Sequence, residues 1–417
     1  MKAIVWRGIG DIRLENVPEP SIEAPTDAIV RVTTSAICGT DLHLVRGTVS
    51  PVEPGTILGH EGVGVIEALG PDVRNFSVGD RVIIPSTIAC GSCTYCRAGC
   101  YSQCDRANPN GKHAGTAYYG GPKSSGPFAG LQAEKARVPF ANVGLIKIPD
   151  DVSDEQAILL SDIFPTAYFG ASLAEIHRGD NVAVFGCGPV GLFTIVSAQL
   201  LGAGRVFAVD HEPSRLAKAR QLGAEVIDFD AEDPVATILR LTDDIGVERV
   251  IDAVGIDAQR PHAGPAAANV HGDDLERERR RLAPDADFDG DQWSPGDGPS
   301  TALAWAIDAV CKNGTMAIIG VYSEAAQTFP IGKAMNKNLT IKMGNCDHRM
   351  YIPLLLDLVR TGAVDPTQVL SHRRTIESAV DAYRHFDRRD QGWIKVELDV
   401  AESWSGSARG VPSTTED

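Results

Sequence analysis

Asn181-Val182-Ala183-Val184-Phe185-Gly186-Cys187-Gly188-Pro189-Val190-Gly191 is the stretch that decides the fold. An apolar run leads into glycines spaced Gly-x-Gly-x-x-Gly, and Leu192 to Leu201 continues as an apolar helix. Arg205 to Val209 reads as the next strand and ends in Asp210, 19 positions after Gly191. The glycine spacing alone is a weak signal; strand, turn, helix and acidic residue in this order form the dinucleotide fingerprint. Gly186 permits the tight turn, Gly188 lets the backbone approach a pyrophosphate, and Gly191 lets the helix pack on the strand. The helix then turns unpaired N–H groups towards the phosphates. Asp210 would accept hydrogen bonds from the adenine ribose and repel a 2′-phosphate, which favours NAD over NADP. The uncharged run Asn181 to Gly204 is long enough to imitate a membrane span, but its glycines and Pro189 argue for strand, turn and helix.

Downstream, the β-α alternation continues. Pro213–Leu222 and Pro234–Leu241 read as helices, Glu225–Asp228 and Glu248–Asp252 as strands, then Thr301–Lys312 as a helix and Gly314–Ile319 as a strand. Right-handed βαβ steps predict a doubly wound parallel sheet. Residues 256–300 interrupt it with a stretch rich in Pro, Gly, Asp and Arg. This reads as a solvated surface loop, with a flap over the cofactor's adenosine end or a subunit contact as the sharper alternative. Deleting residues 262–295 and finding NAD affinity and oligomeric state unchanged would remove that alternative.

Upstream, residues 2–84 are rich in β-branched runs such as Val30–Thr34 and Gly62–Gly70, which predict a β-rich, partly barrel-like unit. Within it, Cys38-Gly39-Thr40-Asp41-Leu42-His43 and Gly59-His60-Glu61-Gly62 present a thiolate and an imidazole, the ligand types zinc prefers. From these residues alone the pair is half a metal site, or a buried Cys and a core His that never meet. Cys90, Cys93, Cys96 and Cys104 follow, separated by two, two and seven residues. Four thiolates on one loop close a tetrahedron and mark a structural zinc site. An iron–sulfur cluster is the rival, but its usual run ends in Cys-Pro, which is absent. Cys100 is a spare thiol. Glu155–Asp162 and Thr166–Ala171 look helical, with a break at Pro165. Asp162 follows an apolar run, a costly place for an unpaired carboxylate. A helix cap or turn is the more frequent use of such a residue.

Bulk composition fits this picture. The chain has 417 residues with 43% apolar and 23% charged content, enough for two or three ordinary domains. A net charge of −16 argues against a nucleic-acid binder. Nine cysteines, five of them in one run, and charge at Lys2 and Arg7 point to a cytoplasmic protein without disulfide staples, signal peptide or membrane segment.

The Cys38–His43 and Gly59–Gly64 motifs, the Cys90–Cys104 loop and the dinucleotide fingerprint, in that order, resemble the zinc-dependent medium-chain alcohol dehydrogenases. The segments Leu160–Tyr168, Gly186–Gly191 and Gly344-Asn345-Cys346 resemble the branch containing NAD-dependent formaldehyde dehydrogenases. The resemblance covers about residues 1–400 and least matches 256–300 and the tail. It implies an α/β fold: a β-rich GroES-like catalytic domain (1–163 and 344–400), a Rossmann domain (164–343, with the insertion 256–300) and a flexible tail (401–417).

The resemblance also assigns roles. The third catalytic zinc ligand falls on Asp162, where many relatives carry cysteine. With Cys38 and His60 it completes the site; Glu61 is an extra ligand in some relatives, and Asp41 would orient His60. Zinc lowers the pKa of a bound alcohol. Thr40 accepts that proton and passes it through the cofactor ribose to His43 and solvent; a histidine's unperturbed value of about 6.5 suits that exit. Thr166 and Val190 line the nicotinamide, Arg215 lies near the adenine ribose and Lys395 near the pyrophosphate. Two zinc ions and NAD per chain are implied, with a small alcohol or aldehyde as substrate and a homodimer or homotetramer as the assembly. An aldehyde dismutase holding its NAD tightly shares all these residues. A non-catalytic protein retaining the fold is the alternative from another class.

Overall fold

The computed structural model describes residues 1–401 apart from 50, 51, 112–114, 269, 271, 287, 289 and 291. The expected tail lies outside them beyond Ala401. Six parallel strands form one sheet, in the spatial order Glu225–Asp228, Arg205–Asp210, Asn181–Phe185, Val247–Asp252, Val310–Ile318, Thr340–Met343. Every neighbouring pair is parallel. Numbered along the chain this is 3-2-1-4-5-6, the doubly wound order. The strands are Val-, Ile- and Phe-rich because both faces are covered. Val184 packs with Leu192 and Ile195 on one face, while Ala183, Phe185 and Phe207 pack with Ile307 on the other. The order reverses beside Asn181–Phe185, so a crevice opens at the carboxyl ends of Asn181–Phe185 and Val247–Asp252, where ligands bind in such sheets.

A second sheet holds seven strands in the order His372–Thr375, Val396–Asp399, Ala28–Ile37, Gly62–Leu69, Arg81–Ile84, Ile146–Lys147, with Lys135–Val138 also paired to Ala28–Ile37. It is the β-rich unit expected, closed by the carboxyl-terminal strand Val396–Asp399. One core runs from this sheet into the parallel one, through Cys38, Val63, Phe164 and Val184. Helix Ile163–Leu173 joins the two by packing on helix Pro189–Leu200, with the Phe164 and Phe193 rings stacked 4.6 Å apart.

Three local expectations change. Pro165 does not break a helix; it lies in the first turn of Ile163–Leu173, where its missing N–H is no loss. The strand expected from Gly314 begins at Val310, and a register shift opposite Val247–Arg249 absorbs the extra residues. Residues 256–300 are not a plain loop. They contain helix Gly272–Leu282, whose Glu-Arg-rich surface buries only Glu278 and Leu282. The segment also docks on the β-rich unit, with the Trp293 N–H donating to Asp387 Oδ2 at 2.7 Å.

Candidate active site

Cys38 follows the strand Ala28–Ile37 and occupies the cap position of helix Gly39–Arg46. His60 and Glu61 immediately precede strand Gly62–Leu69 on the neighbouring strand of that sheet. Asp162 occupies the cap position of helix Ile163–Leu173, yet its side chain makes no capping hydrogen bond. That frees the carboxylate for the site, so the frequent use of such an aspartate is ruled out here by geometry. One ligand atom from each of Cys38, His60, Glu61 and Asp162 lies within 4.8 Å of the others, and all four residues are buried. Asp162 Oδ2 is 3.6 Å from Cys38 Sγ and 3.4 Å from His60 Nε2. Asp41 Oδ1 lies 3.3 Å from His60 Nδ1, leaving Nε2 to face the cluster.

The donor set suits a cation. Glu61 Oε2 is buried with no hydrogen-bond partner among the described residues. Burial pushes the Cys38 thiol and the Glu61 carboxyl up, while Lys395 opposes the rise on Glu61. Burial disfavours a charge on His60, but Asp41 and Cys38 outweigh it and raise its pKa well above the usual value. A divalent ion would offset these buried acids, and this mixture of sulfur, nitrogen and oxygen is one that suits zinc.

His348, which the sequence reading missed, buttresses Asp162. Its Nε2 is 2.8 Å from Asp162 Oδ1 and 3.2 Å from Thr166 Oγ1, and its Nδ1 is 3.1 Å from Thr87 Oγ1. Burial pushes the Asp162 carboxyl up, but hydrogen bonds from His348 and His60 dominate and hold it well below the carboxylate range. Oδ1 is thereby occupied and Oδ2 turned to the cluster. His348→Ala is expected to weaken zinc affinity about 10–100-fold, as loss of such supporting partners does elsewhere; competition with a fluorescent chelator measures it.

Cys90, Cys93, Cys96 and Cys104 form the second cluster within 4.8 Å, and Cys100 stands outside it, exposed. Backbone N–H groups point at the sulfurs, with Cys90 N 3.2 Å from Cys104 Sγ and Ser92 N and Cys93 N each 3.4 Å from Cys90 Sγ. Burial opposes the Cys93 thiolate, but backbone donors from Cys96 and Asp105 outweigh it and lower the thiol to about 6. The loop is tied to the other site, because Ser102 N donates to Asp347 Oδ1 at 2.7 Å, next to His348.

A cavity of about 410 Å³ joins the first cluster to the crevice of the parallel sheet. Thr40, His43, Thr166, Val190, Asp210 and Arg215 all line it. A side chain at Gly191 would meet the Gly186 carbonyl at 1.9 Å, and Gly186 has φ +92°. A side chain at Gly188 would meet only Arg215, at 4.0 Å, so this glycine leaves open space for a ligand. Asp210 accepts from the N–H groups of Cys187, His211 and Glu212 at 2.7, 2.8 and 2.9 Å. Burial pushes its pKa up, and Arg215 with these donors brings it below the usual value.

Two of the expected residues have buried partners of their own. Lys395 is fully buried, with Nζ 2.5 Å from Glu61 Oε1 and 3.0 Å from the Ile37 carbonyl. A buried ammonium needs a carboxylate beside it, and Glu61 supplies it, while Lys395 also lines the cavity that holds the glycine turn. Arg389 is the cation that the sequence reading missed at the cofactor end; burial, Arg215 and Arg46 lower it to about 10. His43 is buried, its ring meets Asp257, and it lines the same cavity.

The family described as alcohol dehydrogenase GroES-like domain matches residues 24–150, and zinc-binding dehydrogenase matches residues 189–263. The zinc-type alcohol dehydrogenase-like protein AdhB of Bacillus subtilis is 38% identical over 401 residues, covering 95% of this chain and 100% of that protein. A glutathione-independent formaldehyde dehydrogenase of Pseudomonas aeruginosa is 37% identical over 275 residues, 63% of this chain and 68% of its own length. Among solved structures, alcohol dehydrogenase TADH from Thermus sp. ATN1 superposes with a TM-score of 0.77 at 35% identity, over 96% of this chain and 100% of that one. Full-length similarity at this level, on a GroES-like unit joined to a Rossmann sheet, makes the chain a member of the zinc-dependent medium-chain alcohol dehydrogenase family.

Proposed function

We propose that this oxidoreductase transfers hydride between NAD and a small alcohol or hydrated aldehyde, with Cys38, His60 and Asp162 holding the catalytic zinc. The observation that carries the reading is one cavity shared by the metal cluster and the glycine turn. Bound there, zinc supplies Lewis acidity and NAD accepts the hydride. The chain supplies the remainder. Gly186, Gly188 and Gly191 make room for phosphates, Asp210 selects the unphosphorylated ribose, and Arg215 and Arg389 supply positive charge at that end. Thr40 is the hydroxyl of the cavity wall that takes the substrate's proton, and His43 receives it next. Thr166 and Val190 line the reacting end. Glu61 is the reserve ligand, with Lys395 as its counter-charge. Cys90, Cys93, Cys96 and Cys104 hold a structural zinc. The units 1–163 with 344–400 and 164–343 are the catalytic and cofactor domains in this reading.

Formaldehyde is the first substrate to try, supported by the partial similarity to a formaldehyde dehydrogenase. Metal analysis of the purified protein is expected to find about two zinc per chain, one closed and one open site. A panel of alcohols and aldehydes, followed by NADH absorbance with and without added thiol, identifies the substrate. A fully zinc-loaded protein that reduces NAD with none of them would overturn the reading. Met343 of the edge strand Thr340–Met343 is 62% exposed, and Ile331 and Met335 of the helix Ile331–Asn336 are 71% and 77% exposed. A second copy of the chain is the covering proposed here, and light scattering at low and high protein concentration tests it.

A further inference from the structure

We propose that Asp257 is the positioning residue of the proton relay: its carboxylate holds His43 with a proton on Nδ1 and so leaves Nε2 as the basic nitrogen of the ring. The inference rests on the dehydrogenase reading above and adds to it a residue from the other side of the cleft. Asp257 follows the parallel strand Val247–Asp252, whereas His43 lies on helix Gly39–Arg46 of the β-rich unit.

The geometry is tight and buried. Asp257 Oδ2 is 3.0 Å from His43 Nδ1, with side-chain exposures of 10% and 6%. Thr48 Oγ1 lies 2.9 Å from the same nitrogen, and its own hydroxyl is directed to the His43 carbonyl at 3.4 Å. The carboxylate faces Nδ1 as an acceptor, and the Thr48 hydroxyl can serve that nitrogen as donor or acceptor. An ionised carboxylate can only accept, so Nδ1 carries the hydrogen. In the neutral ring the lone pair is then on Nε2, which makes no hydrogen bond among the described residues. His43 itself lines the cavity.

Asp257 is fixed from several directions. Oδ2 takes a hydrogen bond from Arg46 Nη1 at 2.7 Å, and Oδ1 takes one from Gly296 N at 3.2 Å. Arg46 is anchored in turn by Asp387, 2.8 Å from its Nε. Arg389 Nη2 reaches the Asp257 carbonyl at 3.4 Å. The charged groups around His43 are thus Asp257 and Asp387 against Arg46 and Arg389, with Arg215 and Asp210 further along the cavity. Burial alone would protonate Asp257; Arg46 and His43 outweigh it and hold the carboxylate ionised.

The proton balance is simple. During alcohol oxidation the released proton is taken up on Nε2 while Nδ1–H stays in place. The ring becomes an imidazolium, and Asp257 remains a carboxylate that offsets the new charge. Reduction of an aldehyde returns the proton from Nε2. No second acid is needed.

The test compares the zinc-loaded wild type with Asp257→Asn and Asp257→Glu. Nitrogen-15 shifts of His43 in the wild type are expected to show the proton on Nδ1. In Asp257→Asn the plateau of kcat should fall about tenfold or more, within the range that acid–base groups contribute. The acid limb of its pH profile should differ from that of the wild type, because the negative charge facing the ring is lost. Asp257→Glu should restore most of the rate. A purely structural clasp predicts altered thermal stability and NAD affinity with an unmoved acid limb; that result, or a wild-type proton on Nε2, overturns the proposal. If the wild type forms no NADH at all, the dehydrogenase reading fails instead, and the nitrogen-15 shifts still decide the His43–Asp257 contact.

Discussion

Asp162→Ala is expected to lower alcohol-dependent NADH formation by roughly a thousandfold or more, at or beyond the upper end of what removing one electrostatic stabiliser costs an active site. The variant loses the oxygen that faces Cys38 and His60, and with it the negative charge that helps the buried cluster attract a cation. It should bind one zinc per chain fewer while the four-cysteine loop keeps its own. NAD binding, read by fluorescence, should persist, because the glycine turn and Asp210 are untouched. Asp162→Cys is the informative companion: two cysteines and a histidine are a valid catalytic set, so this variant should hold metal again. Full activity in Asp162→Ala would remove Asp162 from the ligand set.

Lys395→Met is expected to produce the largest loss of stability. Among the described residues it strips the only hydrogen-bonded cation from Glu61, and both side chains are fully buried. Removing one partner of a buried pair costs about 3–5 kcal/mol, because the other charge is left unpaired. Zinc should repair part of the damage, since Glu61 is within reach of the metal cluster and binding to the folded state raises apparent stability. Urea midpoints in the presence of zinc and of a chelator measure both effects. A midpoint unchanged in either condition would mean that Glu61 is neutral and needs no partner. Burial does push Glu61 towards its neutral form, and Lys395 acts against that.

What the sequence made legible was what is local. The glycine turn lies within eleven residues, the cysteine loop within fifteen, and their spacing carries the chemistry directly. Asp162 was different. No spacing links it to Cys38, 124 positions away, and only the family resemblance picked it out of a pattern that reads as a cap. Asp257, His348 and Arg389 carried no signal of that kind. Each lies outside the quoted motifs, and each matters through one contact made across the fold. Lys395 was picked out by resemblance, but its pairing with Glu61 was not legible, because the sequence does not reveal that the two are buried side by side. Helix Gly272–Leu282 escaped notice because it has almost no apolar stripe.

The two proposed metal sites also differ in how much of the chain must exist before each can form. The four-cysteine loop closes across 14 positions and needs nothing beyond Cys104 for its ligands. The catalytic ligands span 124 positions, their buttress His348 is 186 beyond Asp162, and the counter-charge Lys395 is 334 beyond Glu61. Domains emerge from the ribosome amino-terminal end first. A nascent chain can therefore load its structural ion early, while the catalytic pocket is completed only when its last strand, Val396–Asp399, pairs back onto Ala28–Ile37. Chains stalled or truncated before residue 395 should carry one zinc, and the second ion then reports that synthesis has finished.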